Sequence, residues 1–148
     1  MNAIVVYSSQ TGRIEQIAHA IASGLPQGTP CVSVDNMPDD FSSYDCVFAG
    51  FWIDENQADP KGQEVLKSIG NDHVAVFVTL YDDPYSDQAS KHLRSAVELL
   101  KPGSGVIGTY VAWTDKDKYR HRPQADENLH LDRAKAFAQD TLSRLKGQ

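Results

Sequence analysis

The sequence predicts an α/β fold in which helices cover both faces of a doubly wound, five-stranded parallel sheet. The first observation is that five apolar segments of strand length alternate with segments that have the apolar spacing of helices. The second is that the first and fourth strand segments are almost continuously apolar, as strands buried on both faces are. The third is a strand, a short polar turn and a helix within the first 25 residues.

Composition agrees with one soluble domain spanning residues 1–148. Hydrophobic residues make up 41% and charged residues 23%, which is typical of a globular protein. No apolar segment reaches the ~18 residues of a membrane span, and no signal-peptide pattern is present, so we expect a cytoplasmic protein without membrane insertion. Cys31 and Cys46 lack metal-type spacing and are expected to be inert core thiols. The net charge of −6 argues against a general nucleic-acid binder.

The first strand is predicted at Ala3–Tyr7, an apolar run that is rich in β-branched residues. A polar turn and Gly12 separate this strand from the first helix. The helix is predicted because apolar residues recur every three or four positions and form one stripe. The stripe consists of Ile14, Ile17, Ala18, Ile21, Ala22 and Leu25.

The remaining elements continue the alternation. A helix is predicted to begin at Pro60, which suits a first turn, and to end at Gly70. Two more helices are predicted from apolar faces at 89–100 and 131–145. The other four strands are predicted at Cys31–Val34, Asp45–Gly50, His73–Leu80 and Val106–Trp113.

Because strands alternate with helices and the first and fourth strands are buried, we predict the strand order 2-1-3-4-5, numbered along the chain, with right-handed crossovers. Ligands of such sheets bind beyond the carboxyl ends of the strands, where the winding direction reverses. Here that crevice lies between the first and third strands. The loops 8–13, 51–59 and 81–86 are expected to converge on it.

The turn after the first strand has the composition of an anion site. Ser8, Ser9, Gln10 and Thr11 precede Gly12, which allows the backbone to approach a ligand closely. The first N–H groups of the following helix lack partners within it and carry a partial positive charge. A phosphate dianion is the natural ligand. The alternative is that Ser9 or Thr11 only caps the helix.

Aromatic residues in the other two loops suggest a planar ligand. Trp52 follows the third strand, and Tyr81 and Tyr85 flank the loop after the fourth. A cofactor with a phosphate tail would place its phosphate at the first loop and its ring between these aromatics. The alternatives are a core or rim position for Trp52 and loop anchors for the tyrosines.

These residues resemble those of the flavodoxin-like family, over essentially the whole length of the chain. The family's phosphate loop reads Ser/Thr-x-Thr-Gly-x-Thr, and the matching segment here is Ser9-Gln10-Thr11-Gly12-Arg13-Ile14. The last hydroxyl is replaced by Ile14. Arg13 either compensates as a cation or points to water. The resemblance implies a flavodoxin-like three-layer sandwich.

The resemblance also implies noncovalently bound flavin mononucleotide (FMN), with Trp52 as the aromatic of the second loop. Asp82 and Tyr85 approximate a family pattern, Gly-Asp-x-x-Tyr, but Thr79-Leu80-Tyr81 lacks its glycines, so the choice between Tyr81 and Tyr85 as the outer stacking partner stays open. No metal is assigned, because His121 and His130 lack metal-type spacing. No catalytic residue is assigned either. The residues expected to bind the cofactor are Ser8, Ser9, Gln10, Thr11, Gly12, Arg13, Phe51, Trp52, Ile53, Thr79, Leu80, Tyr81 and Tyr85.

One departure from the family concerns the residue after the loop tryptophan. In many flavodoxins it is a glycine, whose peptide turns over to accept a hydrogen bond from N5–H of the reduced flavin. Here it is Ile53, and a β-branched residue resists positive φ. We therefore predict weaker stabilisation of the one-electron-reduced flavin than in a typical flavodoxin.

Three functions fit the sequence. The resemblance favours an electron carrier, a flavoprotein that passes electrons between a reductase and a redox partner enzyme. The alternatives are an FMN-dependent reductase of a quinone or similar small acceptor and a flavin-free interaction module with the same fold. The cationic segment within loop 114–125 either recognises an acidic partner or is a solvated loop. Both a monomer and a dimer are compatible with the sequence.

The motifs Gly50-Phe51-Trp52 and Thr79-Leu80 also resemble a short flavodoxin-like subgroup of anaerobic bacteria, linked in some cases to bilirubin reduction.

Overall fold

The computed structural model describes residues 2–9, 12–54, 57–80, 87–113 and 131–146. The strands in these ranges are β1 (Ala3–Tyr7), β2 (Cys31–Ser33), β3 (Cys46–Asp54), β4 (Gln57–Ala58), β5 (Val74–Leu80) and β6 (Val106–Trp113). The α-helices are α1 (Arg13–Ser23), α2 (Pro60–Lys67), α3 (Asp87–Val97) and α4 (Leu131–Lys146). A 3₁₀ turn at Val34–Asn36 follows β2.

The strands β2, β1, β3, β5 and β6 are neighbours in that order, and every pair among them is parallel. With the short hairpin strand β4 left out and the other strands numbered along the chain, this is the predicted order 2-1-3-4-5, which is confirmed. All residues of β1 and β5 are buried, as their continuous apolar runs predicted. The winding direction reverses at β1, which has β2 on one side and β3 on the other.

Helices cover both faces of the sheet, and the side chains of β1 alternate between them. Val5 and Tyr7 belong to a core cluster that includes buried residues of α1 and α4. Ile4 and Val6 belong to the cluster on the opposite face, with buried residues of α2 and α3. The three-layer arrangement follows from this alternation, since each face of a buried strand needs its own cover.

The third strand is longer than predicted. We expected it to end at Gly50 and residues 51–59 to form a loop, but β3 continues to Asp54 and pairs with the short antiparallel strand β4. Phe51 is buried beside Val47 and Ala49 on the α2 face, so the alternation of the strand continues through it. Trp52 and Ile53 therefore lie in a strand, a correction to the sequence-based prediction.

Within the described ranges, no helix combines the length and the hydropathy that crossing a membrane requires. The charged loop 114–125 lies outside the described residues.

Candidate functional site

The carboxyl ends of β1, β3 and β5 meet at one edge of the sheet, as predicted. Tyr7 of β1 is paired with Gly50 of β3, and Trp52 is paired with Thr79 of β5. The backbone N–H of Ser8 donates to the Gly50 carbonyl at 3.0 Å, which ties the turn after β1 to β3. The segments that carry the predicted site residues are therefore adjacent. Tyr81 and Tyr85, which were expected to complete the ring site, lie outside the described residues.

The start of α1 depends on Gly12, which has a φ of +87° and directly precedes Arg13. An L-residue is strained in this left-handed conformation, so glycine is needed here for its backbone. The backbone N–H of Gly12 donates to Ser9 Oγ at 3.0 Å, which leaves the exposed Ser9 hydroxyl able to donate outward. Among the described residues, no side chain caps the first turn of α1. The Ser9 bond therefore reaches Gly12, just before the first residue of α1, and Gln10 and Thr11 lie outside the described residues.

The next two residues of α1 are both buried. Arg13 is only 4% exposed, which contradicts the alternative in which it points to water. A guanidinium keeps its charge in a protein, so this buried side chain is a fixed cation at the start of the helix. Ile14 is 2% exposed and packs in the core cluster on the α1 face. Ile14 therefore contributes packing at the position where the family has a hydroxyl.

Ser8 lies deeper than its neighbours and uses its polar groups inside the protein. The residue is 2% exposed, and its hydroxyl donates to Oδ2 of Asp59. Oδ2 of Asp59 also accepts from the N–H of Gly62 at 2.9 Å, and Oδ1 accepts from the N–H of Trp52 at 3.1 Å. Asp59 is the N-cap of α2. Sequence reasoning missed this residue, although an aspartate directly before a proline in the first helical position is a recognisable cap signal.

The ring-side residues divide into buried and partly exposed positions. Phe51, Thr79 and Leu80 are buried, so little of their side chains can face a ligand. Trp52 is half-buried and packs against the α1 face of the core. Ile53 is half-buried and packs against the opposite cluster. Trp52 and Ile53 thus expose more side-chain surface at this edge than the other three.

A polar cavity of about 310 Å³ lies beside the turn after β1. In this cavity, Lys61 Nζ is 3.2 Å from Asp35 Oδ1. The Tyr7 hydroxyl donates to Glu15 Oε1 at 3.3 Å. Burial, and then the Glu15 carboxylate, raise the pKa of Tyr7, which keeps the phenol protonated as a donor. The cavity is lined by Tyr7, Ser9, Gly12, Glu15, Ser33, Val34, Asp35 and Lys61.

Both cysteines are free thiols, and burial raises the pKa of Cys31 to about 11 and that of Cys46 to about 12. The raised pKa of each thiol agrees with the expected low reactivity, although only Cys46 is fully buried and Cys31 is half-buried. In the part of the chain that the structure describes, no three His, Cys, Asp or Glu side chains are grouped so that they could hold a metal ion.

Comparison of the sequence with known proteins shows the family and one relative. Residues 4–122 match the family model described as a flavodoxin domain. The flavodoxin-like domain-containing protein BilS of Clostridioides difficile (strain CD3) is 25% identical over 114 residues, which cover 75% of this chain and 65% of that protein. The match therefore spans slightly less than two thirds of the length of that relative.

Solved structures share the fold over nearly the whole chain. A WrbA-like flavodoxin from Agrobacterium tumefaciens has a TM-score of 0.68 at 14% identity, covering 99% of this chain and 98% of the other. A flavodoxin from Fusobacterium nucleatum bound to flavin mononucleotide has a TM-score of 0.59 at 13% identity, with coverage of 99% and 98%. At these identities the likeness concerns the fold alone.

Proposed function

The chain belongs to the flavodoxin domain family, and from this premise we propose that it is an FMN-binding electron carrier that serves a reductase and a redox partner enzyme. The observation that carries the proposal is the start of α1. There Gly12 adopts a left-handed conformation, the Ser9 hydroxyl accepts from its N–H and belongs to an exposed residue, and the buried cationic residue Arg13 is the first residue of the helix. Such a group of donors suits a doubly charged phosphate.

The chemistry of the residues fits FMN on the ring side as well. Trp52 presents a partly exposed indole at the carboxyl end of β3, next to the end of β5. A flavin ring gains about 0.5–1.5 kcal/mol from such an aromatic contact beyond the area that it buries. Ser9, Gly12 and Arg13 would hold the phosphate, and Trp52 and Ile53 would contact the ring. Bound FMN supplies the electron-transfer chemistry, while these residues bind and orient it.

The first test is whether the purified protein binds FMN. We expect a yellow protein, or an apoprotein that quenches the fluorescence of added FMN with saturable, one-to-one stoichiometry. Inorganic phosphate should compete weakly, because it occupies only the phosphate end of the site. A protein that neither retains nor binds FMN would contradict the proposal and favour a flavin-free interaction module.

A second test separates a carrier from an enzyme. A carrier should reduce a quinone with NAD(P)H only when a separate flavodoxin reductase is present, since a carrier depends on such a reductase to take electrons from NAD(P)H. Appreciable quinone reduction by NAD(P)H and the FMN-loaded protein alone would instead support a stand-alone reductase. Size-exclusion chromatography of the loaded protein would distinguish a monomer from a dimer.

A cytoplasmic location belongs to the same proposal and is supported by the two free thiols. The narrower resemblance to the subgroup linked to bilirubin reduction stays a prediction.

A further inference from the structure

We propose that Asp59 is a positioning residue that holds the phosphate side and the ring side of the FMN site in a fixed relation. This inference rests on the proposed function. Asp59 is 2% exposed and lies between the β3–β4 hairpin and α2. Its carboxylate receives hydrogen bonds from three separate parts of the chain: Ser8, Trp52 and Gly62.

These three bonds exceed what a helix cap requires. The bond from the Gly62 N–H at 2.9 Å is sufficient to cap α2. The other two come from the cofactor site: the Ser8 hydroxyl, one residue before Ser9, and the N–H of Trp52 at 3.1 Å. The backbone N–H of Asp59 also donates to the Trp52 carbonyl at 2.9 Å. Asp59 thus holds both polar backbone groups of Trp52 and the side chain that begins the phosphate turn.

The surrounding structure is packed so closely that this carboxylate has little room to move. A Cβ on Gly62 would lie 2.5 Å from Asp59 Oδ1 and 2.7 Å from Phe51 Cβ. Glycine in the first turn of α2 therefore permits the helix to approach Asp59 and β3. A buried carboxylate that accepts several N–H and O–H bonds is also strongly held in place, because each lost bond leaves a buried group unsatisfied.

Two substitutions remove the two cofactor-side bonds separately. In Asp59→Asn the single oxygen can still accept from Ser8 and Gly62, but the amide nitrogen then faces the N–H of Trp52. Asparagine is as good an N-cap as aspartate, so the helix cap is retained. Ser8→Ala removes only the hydroxyl bond and leaves Asp59 in place. Neither substitution removes a group that would itself touch the cofactor in this proposal.

We expect Asp59→Asn to weaken FMN binding about tenfold or more and to change the visible circular dichroism of the bound flavin, because the ring-side backbone is released. Riboflavin, which has the ring but no phosphate, should lose affinity by a similar factor. Ser8→Ala should weaken FMN binding about fivefold or more. The double variant should bind FMN more weakly than either single variant, since it lacks both cofactor-side bonds.

The control is Lys67→Gln, a change of an exposed residue in the last turn of α2, at the opposite end of that helix from Asp59. It should leave FMN affinity and the flavin dichroism within about twofold of the wild type. Urea unfolding of each apoprotein checks that the variants are folded. If Asp59→Asn does not fold, Ser8→Ala carries the test alone, because its effect on FMN affinity is measured without any change at the cap.

If Asp59→Asn and Ser8→Ala both bind FMN with the affinity and the flavin dichroism of the wild type, this inference is overturned. The proposed function is then unaffected. Wild-type protein that binds no FMN overturns the proposed function and this inference with it.

Discussion

Gly12 carries the left-handed turn that opens α1, and it has a matched counterpart at the opposite edge of the sheet. Gly28 precedes β2 and has a φ of +89°, close to the +87° of Gly12. At both positions an added Cβ meets nothing within 4 Å. Alanine at either position should therefore cost about 1–2 kcal/mol of folding stability through the backbone alone.

The two alanine variants should differ only in FMN binding. Gly12→Ala should weaken binding about tenfold or more, because it strains the helix start and places a methyl group where the phosphate would approach. Gly28→Ala should bind FMN like the wild type. Urea unfolding and fluorescence titration provide the two measurements. Equal FMN affinity in both variants would remove Gly12 from the phosphate site.

Ile53 lies where many flavodoxins have a turning glycine, and it is held in extended backbone by its pairing with Ala58. We expect Ile53→Gly to increase the fraction of one-electron-reduced flavin during photoreduction, because glycine permits the peptide to turn over. The conservative variant Ile53→Val should leave that fraction unchanged, since valine is also β-branched. The long-wavelength absorbance of the titrated protein measures the effect. Nearly complete accumulation of this form in the wild type would contradict our prediction.

Cys31 is half-buried, and its pKa is raised to about 11, first by burial and second by the Glu15 carboxylate. The thiolate is the reactive form. At pH 8 we expect alkylation by iodoacetamide to be about a hundredfold slower in the folded protein than in urea, where the pKa is near its ordinary value of 9.0. The folded rate should rise about tenfold per pH unit up to about pH 11.

Glu15→Gln provides the control for Cys31. Removing the carboxylate lowers the pKa of the thiol, so alkylation at pH 8 should become faster than in the wild type. Peptide mapping by mass spectrometry assigns the modified cysteine. A folded protein that reacts as fast as the unfolded chain at pH 8 would show that Cys31 is not shielded in this way.

At the scale of single elements, β3 shows where sequence patterns are sufficient and where they are not. The apolar run that ends at Gly50 predicted the buried part of the strand. The continuation through Trp52 to Asp54 was missed, because its partner β4 is a two-residue strand of polar and small residues that has no strand signal of its own. Pairing between Ile53 and Ala58, together with the bonds of Asp59 to Trp52, stabilises the hairpin. These contacts lie within one hairpin and involve backbone groups and the Asp59 carboxylate, so the spacing of apolar residues in the sequence does not predict them.

The pairing of β3 with β5 yields a packing prediction. A Cβ on Gly50 would lie within 3.0 Å of three atoms of the Phe77 ring, and Phe77 is fully buried. We expect Gly50→Ala to destabilise the fold by about 1–3 kcal/mol, because the ring has no room to retreat. Urea unfolding measures the difference.

Gly70→Ala is the matched control for Gly50→Ala. The nearest atoms to its Cβ would be Lys101 Cβ at 3.2 Å and Cδ at 3.3 Å, so a shift of a few tenths of an ångström at this exposed residue is sufficient. Its effect should stay within about 0.5 kcal/mol. Similar losses in both variants would mean that the close contact with Phe77 is relieved by a shift of the strands.

For the molecule as a whole, the order of the parallel strands and the meeting of the carboxyl ends of β1, β3 and β5 at one edge followed from the sequence, because buried parallel strands impose a small set of topologies. The burial of Ser8 and Arg13 did not follow, since a serine and an arginine in a turn are more often exposed. The role of Asp59 depends on Ser8, 51 residues earlier in the chain. A hydrogen bond over that separation exists only once β1 and β3 are paired.

α4 covers the same face of the sheet as α1, and this has a consequence for the synthesis of the protein. Ala134, Ala138, Leu142 and Leu145 complete the core cluster over Val5 and Phe48, two central residues of the sheet. A nascent chain that still lacks these residues exposes that apolar surface, so one side of the central strands stays open to aggregation or chaperones. The residues proposed to bind FMN are all encoded before residue 87, yet stable folding must wait for α4 to leave the ribosome.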